Sequence, residues 1–301
     1  MNSEFRYQLE TRKLTGRRQQ KFQCPNCGKN KCFVRYVDTQ NAFSYLADEV
    51  GKCDHLNSCG YHYKPSQYFH DYQLQEKPAL THYTPPPPPP FQPIPMDYVL
   101  RSHSTQSVFW GWLSNVAAKQ LCITPQQLQR IFDDYLIGAT GKHNVIFWQI
   151  DHLNRVHGGH IMQYGNDGHR KGFQGWTHIP LIQAGKLPLN WQLYQCLFGQ
   201  HLLSQRPEAH VCLVESEKTA LVLAALHPEH IWLATAGCSG LTPERLGCLR
   251  GRRVTAFPDS GCYQKWLQQL QAIKGLDFNI SQSLEEYPPN TDLCDLLLEQ
   301  S

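Results

Sequence analysis

The sequence predicts a mixed α/β chain: a small N-terminal β-ribbon, a proline-rich linker, an α+β lobe and a mainly parallel α/β domain. Three observations carry this expectation. Two pairs of cysteines sit on tight turns in "CPNCGKNKC" and "GKCDHLNSCGYH". Six consecutive prolines interrupt the chain in "THYTPPPPPPFQPIP". From residue 210 onward, short apolar runs alternate with helical patterns, the signature of strand–helix–strand units with a parallel sheet. The expected divisions are 1–80, a linker at 81–96, a lobe at 97–208 and the α/β domain at 209–301.

The totals agree with such a chain. At 301 residues there is room for about two domains. A hydrophobic content of 41% supplies cores, and 18% charged residues is too few for a generally disordered chain. No apolar run approaches the roughly 20 residues that cross a bilayer. "MNSEFRYQLETRK" has no apolar stretch of the signal-peptide kind, so the expected location is cytoplasmic. There, twelve cysteines read as thiols or metal ligands rather than disulfides. The net charge of +3 is unevenly placed. Residues 1–35 carry nine Lys and Arg against Glu4 and Glu10, a local +7, so the remainder sums to −4. A basic end on a mildly acidic body points to a polyanion partner.

Taken in order, Cys24 and Cys27 form the first pair and Cys53 and Cys59 the second. Two turns of this type about 25 residues apart suit a tetrahedral zinc ion, with "CFVRYVD" and "AFSYLADEV" supplying the strands between. So small a segment buries too little apolar surface to hold itself, and metal would supply much of its folding energy. His55 or His62 is the alternative to one thiolate, while Cys32 reads as a plain thiol. Arg17, Arg18, Lys21 and Arg35, beside Tyr36 and Tyr45, are candidates for contacts with single-stranded DNA or RNA: cations neutralise phosphates and aromatic rings stack on bases. The prolines favour an extended polyproline rod.

After the linker, "SVFWGWLSNVAAKQL" reads as a helix, and "TPQQLQRIFDDYLI" as a second with Thr124 as N-cap and Pro125 in the first turn. "NVIFWQID" and "HIMQY" read as strands, and "GNDGHRKG" as a basic, turn-rich loop. The fifteen histidines lack the helical spacing of a zinc enzyme motif, even in "DHLNRVHGGH", and read as surface or core residues. Strands "HVCLVE", "HIWLATAG", "RRVTAFPD" and "LDFNISQSL" then alternate with helices "SEKTALVLAAL", "TPERLGCLR", "YQKWLQQLQAIK" and "TDLCDLLLEQ". Glu215, Gly237 and Asp259 fall at the carboxyl ends of strands, where open α/β sheets gather their ligands. The two acids are expected to share one rim.

These residues resemble the toprim domain, the α/β module of primases, topoisomerases and some nucleases. "VESEKTA" corresponds to that family's Glu after its first strand, "LATAGCSGL" to its glycine turn, and "FPDSG" to its Asp-x-Asp segment. A zinc ribbon ahead of a toprim core is the arrangement of bacterial-type DNA primases. The whole chain is similar to zinc-ribbon and toprim proteins of mobile elements in Bacteroidetes-type bacteria. The resemblance implies that Glu215 and Asp259 hold Mg²⁺ or Mn²⁺ and carry catalysis. Gly261 stands where the family has its second Asp. Asp292 or Asp295 in "NTDLCD" completes the site, or else serves the N-terminus of the last helix. Lys218 either meets phosphate or lies on a solvated helix face, and Glu217 reads as a first-turn helix residue.

The resulting expectation is a primase-like, Mg²⁺-dependent nucleotidyl transfer from nucleotides on a single-stranded template. The alternative is a non-catalytic DNA-binding accessory of replication or mobilisation with a degenerate toprim site, or a toprim nuclease. No GxxxxGK[ST] segment is present, so unwinding would fall to a separate helicase or mobilisation partner.

Overall fold

The Cys-bearing turns and the short alternating strands between them build a separate unit. A computed structural model of the chain describes residues 5–16, 18–55, 58–73, 90–238 and 240–299. Residues fall into two compact units, Met1–Pro87 and Pro88–Ser301. Arg17 and most of the expected proline linker lie outside the described residues.

In the first unit, β1 (Tyr7–Leu9), β2 (Phe33–Asp38), β4 (Gly51–Cys53) and β5 (His62–Tyr63) form one antiparallel sheet in that order, with β3 (Ser44–Tyr45) also on β2. Thr11 caps α1 (Arg12–Thr15), and α2 (Pro65–Asp71) follows β5. The central strand buries Phe33 and Val37 completely. Its apolar cluster is small: Cys24, Cys32, Phe33 and Cys53, flanked by Phe22, Cys27, Cys59 and Tyr61. Five of those eight residues are cysteines, as expected of a ribbon that a metal holds together.

The second unit opens with α3 (Met96–Ser102) and then a continuous helix where one was expected. This is α4 (Val108–Trp112), a π-helical turn (Leu113–Ala117) and α5 (Ala118–Gln120). At the widened turn Ser114 donates to the Trp110 carbonyl and Asn115 to the Gly111 carbonyl, both at 2.8 Å. The next helix, α6 (Pro125–Asp134), begins at the expected Thr124, whose side chain makes a reciprocal capping box with Gln127. An antiparallel sheet follows in the order β6 (Gly138–Ala139), β7 (Val145–Ile150), β8 (Val156–Tyr164) and β9 (Arg170–Trp176). Here the structure corrects the sequence reading. "HIMQY" is the end of a nine-residue strand, and "GNDGHRKG" is only half a loop, because Arg170 and Lys171 already belong to β9. Two short helices, α7 (His178–Gln183) and α8 (Leu202–Gln205), lead onward.

The last sheet is formed by β10 (Val211–Val214), β11 (Ile231–Ala234), β12 (Arg253–Ala256) and β13 (Asp277–Ile280) in the order β11-β10-β12-β13, with every pair parallel. This is the parallel α/β arrangement the sequence predicts for the region after residue 209. All four residues of β10 and of β11 are buried, which explains their unbroken apolar runs. The connecting helices are α9 (Glu217–Leu226), α10 (Pro243–Leu246) with a 3₁₀ turn at Gly247–Leu249, and α11 (Tyr263–Gln271); α12 (Leu293–Glu299) closes the chain. Helix α9 is apolar nearly all round because it packs against β11, α6 and α12 together. One apolar core runs through both sheets of the second unit, from Phe109, Phe147 and Tyr164 to Val211, Leu233 and Trp266. The sequence division at 208/209 falls between α8 and β10, within that core. Among the described residues no helix is long and apolar enough to cross a membrane.

Candidate functional site

Two places gather chemistry-bearing side chains, one in each unit. In the ribbon, one ligand atom from each of Cys24, Cys27, Cys53 and Cys59 lies within 4.8 Å of the others. The Sγ atoms of Cys24 and Cys59 are 3.7 Å apart, and those of Cys27 and Cys53 are 4.0 Å apart. A tetrahedron of Zn–S bonds of about 2.3 Å has edges of about 3.8 Å, so these thiols fit zinc. An overlapping set, Cys27, Cys32, Cys53 and His55, is also within reach, but Cys32 donates its thiol to the Lys29 carbonyl at 3.1 Å. His62 is elsewhere, bonded to the Tyr36 hydroxyl at 2.9 Å. Hydrogen bonds from the Asn26 amide and the Tyr61 backbone bring the Cys59 thiol down to about 6. Burial pushes Cys53 the other way, so its deprotonation calls for a cation.

The basic residues around the ribbon are placed differently from one another. Arg18 is exposed. Lys21 pairs with Asp54 at 2.6 Å, and Arg35 with Asp48 at 2.8 Å. The Arg35 guanidinium also lies over the Phe22 ring, 3.9 Å from its centroid, and 5.8 Å from the centroid of Tyr45. Tyr45 donates its hydroxyl to Glu10 at 2.9 Å.

In the second unit the chain order produces a site by topology. The chain leaves β10 for β11 on one side and returns to β12 on the other, so the carboxyl ends of β10 and β12 flank a switch point where ligands bind. Glu215 follows β10 directly, and Ser216 then caps α9 by accepting from Thr219. Asp259 lies three residues beyond β12, in a loop tied to the segment before α12 by Ser260 N–H to the Thr291 carbonyl (3.0 Å) and Ser260 Oγ to the Tyr287 carbonyl (2.7 Å). The two acids line one cleft of about 370 Å³ with Glu217, Lys218, Asp292 and Asp295, while His160, Tyr164 and Arg170 come from the antiparallel sheet and His169 from its β8–β9 turn.

The electrostatics of this cleft are unbalanced. Burial raises Glu215, although the Cys262 thiol and the Cys238 backbone N–H pull against it. Burial also raises Asp259, and the charges of Glu215, Asp292 and Asp295 add to bring it to about 8. Glu217 goes the opposite way. It is 1% exposed, and the His160 ring at 2.7 Å outweighs its burial and lowers it. One oxygen each of Glu215 and Glu217 is buried with no hydrogen-bond partner. Acids crowded together with unfilled acceptor oxygens suit a hard cation, and Mg²⁺ is commonly held by one or two carboxylates plus water and phosphate.

Asp292 and Asp295 are engaged otherwise. Each accepts the other's backbone N–H across the first turn of α12, at 2.8 and 3.2 Å. Lys218 lies 2.9 Å from Asp295 and 3.5 Å from Asp292, and Thr219 donates to Asp292 at 2.9 Å. Burial pulls the Lys218 ammonium down, but Asp292, Cys294 and Asp295 win and hold it above its usual value. Among the described residues these two acids join no ligand cluster. Neither Glu217 nor Lys218 lies on a solvated face: one is paired with His160, the other with this acid pair.

Sequence reasoning missed His160, Cys238 and Cys262. Nothing local marks His160, which meets Glu217 from 57 residues away on the other sheet. The cysteines were legible by position, one in the turn after β11 and the other three residues beyond Asp259.

Together, fold and sites define a zinc-ribbon protein whose second unit is an α/β domain with a carboxylate cleft at its sheet's switch point. The chain belongs to the family described as a domain of unknown function, DUF6371, whose profile matches residues 107–260. That span takes in Glu215 and Asp259. A zinc beta-ribbon finger profile matches residues 5–74. No curated protein matches the chain. Among solved structures it is similar to the RNA polymerase domain of Mycobacterium tuberculosis primase DnaG, at 13% identity over 67% of this chain and 77% of that one, with a TM-score of 0.42. It is also similar to the E. coli primase catalytic core, at 13% identity over 68% and 74% with a TM-score of 0.40. For the zinc-binding and RNA polymerase domains of Aquifex aeolicus primase the identity is 13% over 92% and 74%, with a TM-score of 0.37.

Proposed function

We propose that the protein is a primase-like DNA-processing enzyme that transfers nucleotides on a single-stranded template, using a divalent metal at Glu215 and Asp259. The observation that carries this reading is the cleft itself: two carboxylates at a switch point, with Asp259 raised to about 8 by burial and neighbouring acids. A site so short of positive charge favours a bound cation. Mg²⁺ or Mn²⁺ held there supplies polarisation of a phosphoryl oxygen and alignment of attacking and leaving groups. Arg170, exposed on the cleft wall, meets the phosphates of an incoming nucleotide. The buried His160–Glu217 pair fixes the first turn of α9 and so the direction of Glu215. Lys218, clamped between Asp292 and Asp295, holds α12 against α9 and keeps the acid pair away from the metal. The ribbon's Arg17, Arg18, Lys21 and Arg35 contact the template strand.

A second reading is favoured by Gly261, where the toprim pattern has another Asp: a DNA-binding accessory protein that keeps the fold without the chemistry. Incubating pure protein with single-stranded DNA, labelled nucleotides and Mg²⁺ or Mn²⁺ separates the two. Extension products are expected, and Glu215→Gln and Asp259→Asn each reduce them on the order of a hundredfold or more while single-strand binding is retained. Cleavage without extension assigns a nuclease instead. Absence of both, with no Mn²⁺ binding by calorimetry, transfers the protein to the accessory class.

A further inference from the structure

Three strand ends of the parallel sheet each deliver one donor side chain to a single point. Glu215 follows β10, Cys238 lies in the turn after β11, and Cys262 sits at the N-cap of α11 after β12. A carboxylate oxygen of Glu215 and the two Sγ atoms all lie within 4.8 Å of one another. All three residues are half-buried rather than sealed in the core.

The backbone is arranged to hold this convergence. Ala236 and Gly237 take positive φ values of 57° and 128°, turning the chain back after β11. The Gly237 N–H then donates to the Glu215 carbonyl at 3.3 Å, which brings Cys238 over the end of β10. On the other side the Cys262 N–H donates to the Asp259 carbonyl at 2.9 Å. One Glu215 oxygen is buried without a hydrogen-bond partner. The nucleotidyl-transfer reading uses Glu215 but gives neither cysteine a task.

Donor chemistry selects the ligand. Sulfur ligands prefer zinc-class cations, whereas Mg²⁺ takes oxygen. Two thiolates and one carboxylate leave a fourth tetrahedral position open, the pattern of accessible rather than purely structural zinc sites.

We propose that Glu215, Cys238 and Cys262 form a second metal site, separate from the ribbon, that takes a thiophilic divalent cation of the zinc class with one position open. The site stands whether or not the cleft transfers nucleotides. Because it shares Glu215 with the proposed Mg²⁺ position, the two ions compete.

Co²⁺ titration of the zinc-loaded full chain reads the site directly. The expected result is a thiolate-to-cobalt absorption band that saturates near one equivalent. The band is lost in Cys238→Ser/Cys262→Ser, and exchange into the ribbon is recognised because it persists in that variant. Glu215→Gln weakens cobalt binding while keeping the thiolate band. A wild-type chain without the band, or a double variant with the same band, overturns the proposal. Alkylation of wild-type protein supplies a second measurement that needs no variant. Stoichiometric Zn²⁺ slows iodoacetamide modification of Cys238 and Cys262, as read by peptide mass spectrometry, and an unchanged rate sinks the site.

Discussion

Asp259 shows how a single residue's surroundings set its chemistry. An aspartate on an open surface ionises near pH 4. Here burial and three neighbouring acids raise it to about 8. Between those two values the folded chain holds a proton that the unfolded chain has released. Stability of the metal-free protein therefore falls as pH rises through that window, by at most about 1.4 kcal/mol per pH unit from this group. Asp259→Asn removes the contribution. Denaturant melts in chelator at several pH values between 5 and 8 should give a flatter profile for the variant; parallel profiles would show that Asp259 is not strained by its neighbours. Asp292 and Asp295 are the counterexample. They are acids in the same cleft, but Lys218 and reciprocal backbone bonds have already claimed their oxygens.

At the scale of elements, the β8–β9 hairpin and helix α4 depend on one glycine. Gly168 has a φ of +73°, and a Cβ built there would stand 2.1 Å from the Trp112 ring. The indole thus packs directly on the turn backbone, and the turn in turn presents His169 and Arg170 to the cleft. Gly168→Ala should cost about 2–4 kcal/mol, from the left-handed backbone and the clash together. Thermal or urea unfolding measures it, and a loss under ~0.5 kcal/mol, within the scatter of surface substitutions, would mean that the turn relaxes away from Trp112 freely. The sequence reading found this segment as a basic loop but not as the start of β9. Its Gly, Asn and Asp are turn residues, and the strand beyond is short of apolar alternation, so pairing with β8 rather than local pattern makes it a strand.

For the whole molecule, the two units draw stability from different sources. The second has a continuous apolar core across two sheets, whereas the first has a small cluster made mostly of cysteines. Stripping zinc with a strong chelator is expected to abolish the unfolding transition of residues 1–87 and leave that of 88–301 in place. The stripped protein should also bind single-stranded DNA more weakly and with a shallower dependence on salt, because the ribbon's cations lose their arrangement. Calorimetry and a salt series of binding isotherms check both parts. If chelation leaves the first transition unmoved, the four thiols do not hold a structural metal.

The sequence alone determined whatever depends on local spacing. The paired cysteines announced the ribbon, Thr124 and Pro125 the start of α6, and the unbroken apolar runs of β10, ending at Glu215, and of β11 the buried parallel strands. Those signals are short in range: a turn, a cap and a strand are each written within a few residues. Only the tertiary structure decided how these pieces meet. The order β11-β10-β12-β13 sets Glu215 and Asp259 on either side of a switch point. His160 finds Glu217 only because the fold brings β8 to the first turn of α9. Asp292 and Asp295 turn to Lys218 because α12 lies along α9. Cys238 joins Cys262 because β11 and β12 flank β10 and the segments that follow them converge at its carboxyl end. No residue's own neighbours in sequence encode such encounters, since they follow from strand order and helix packing, which distant apolar residues settle collectively.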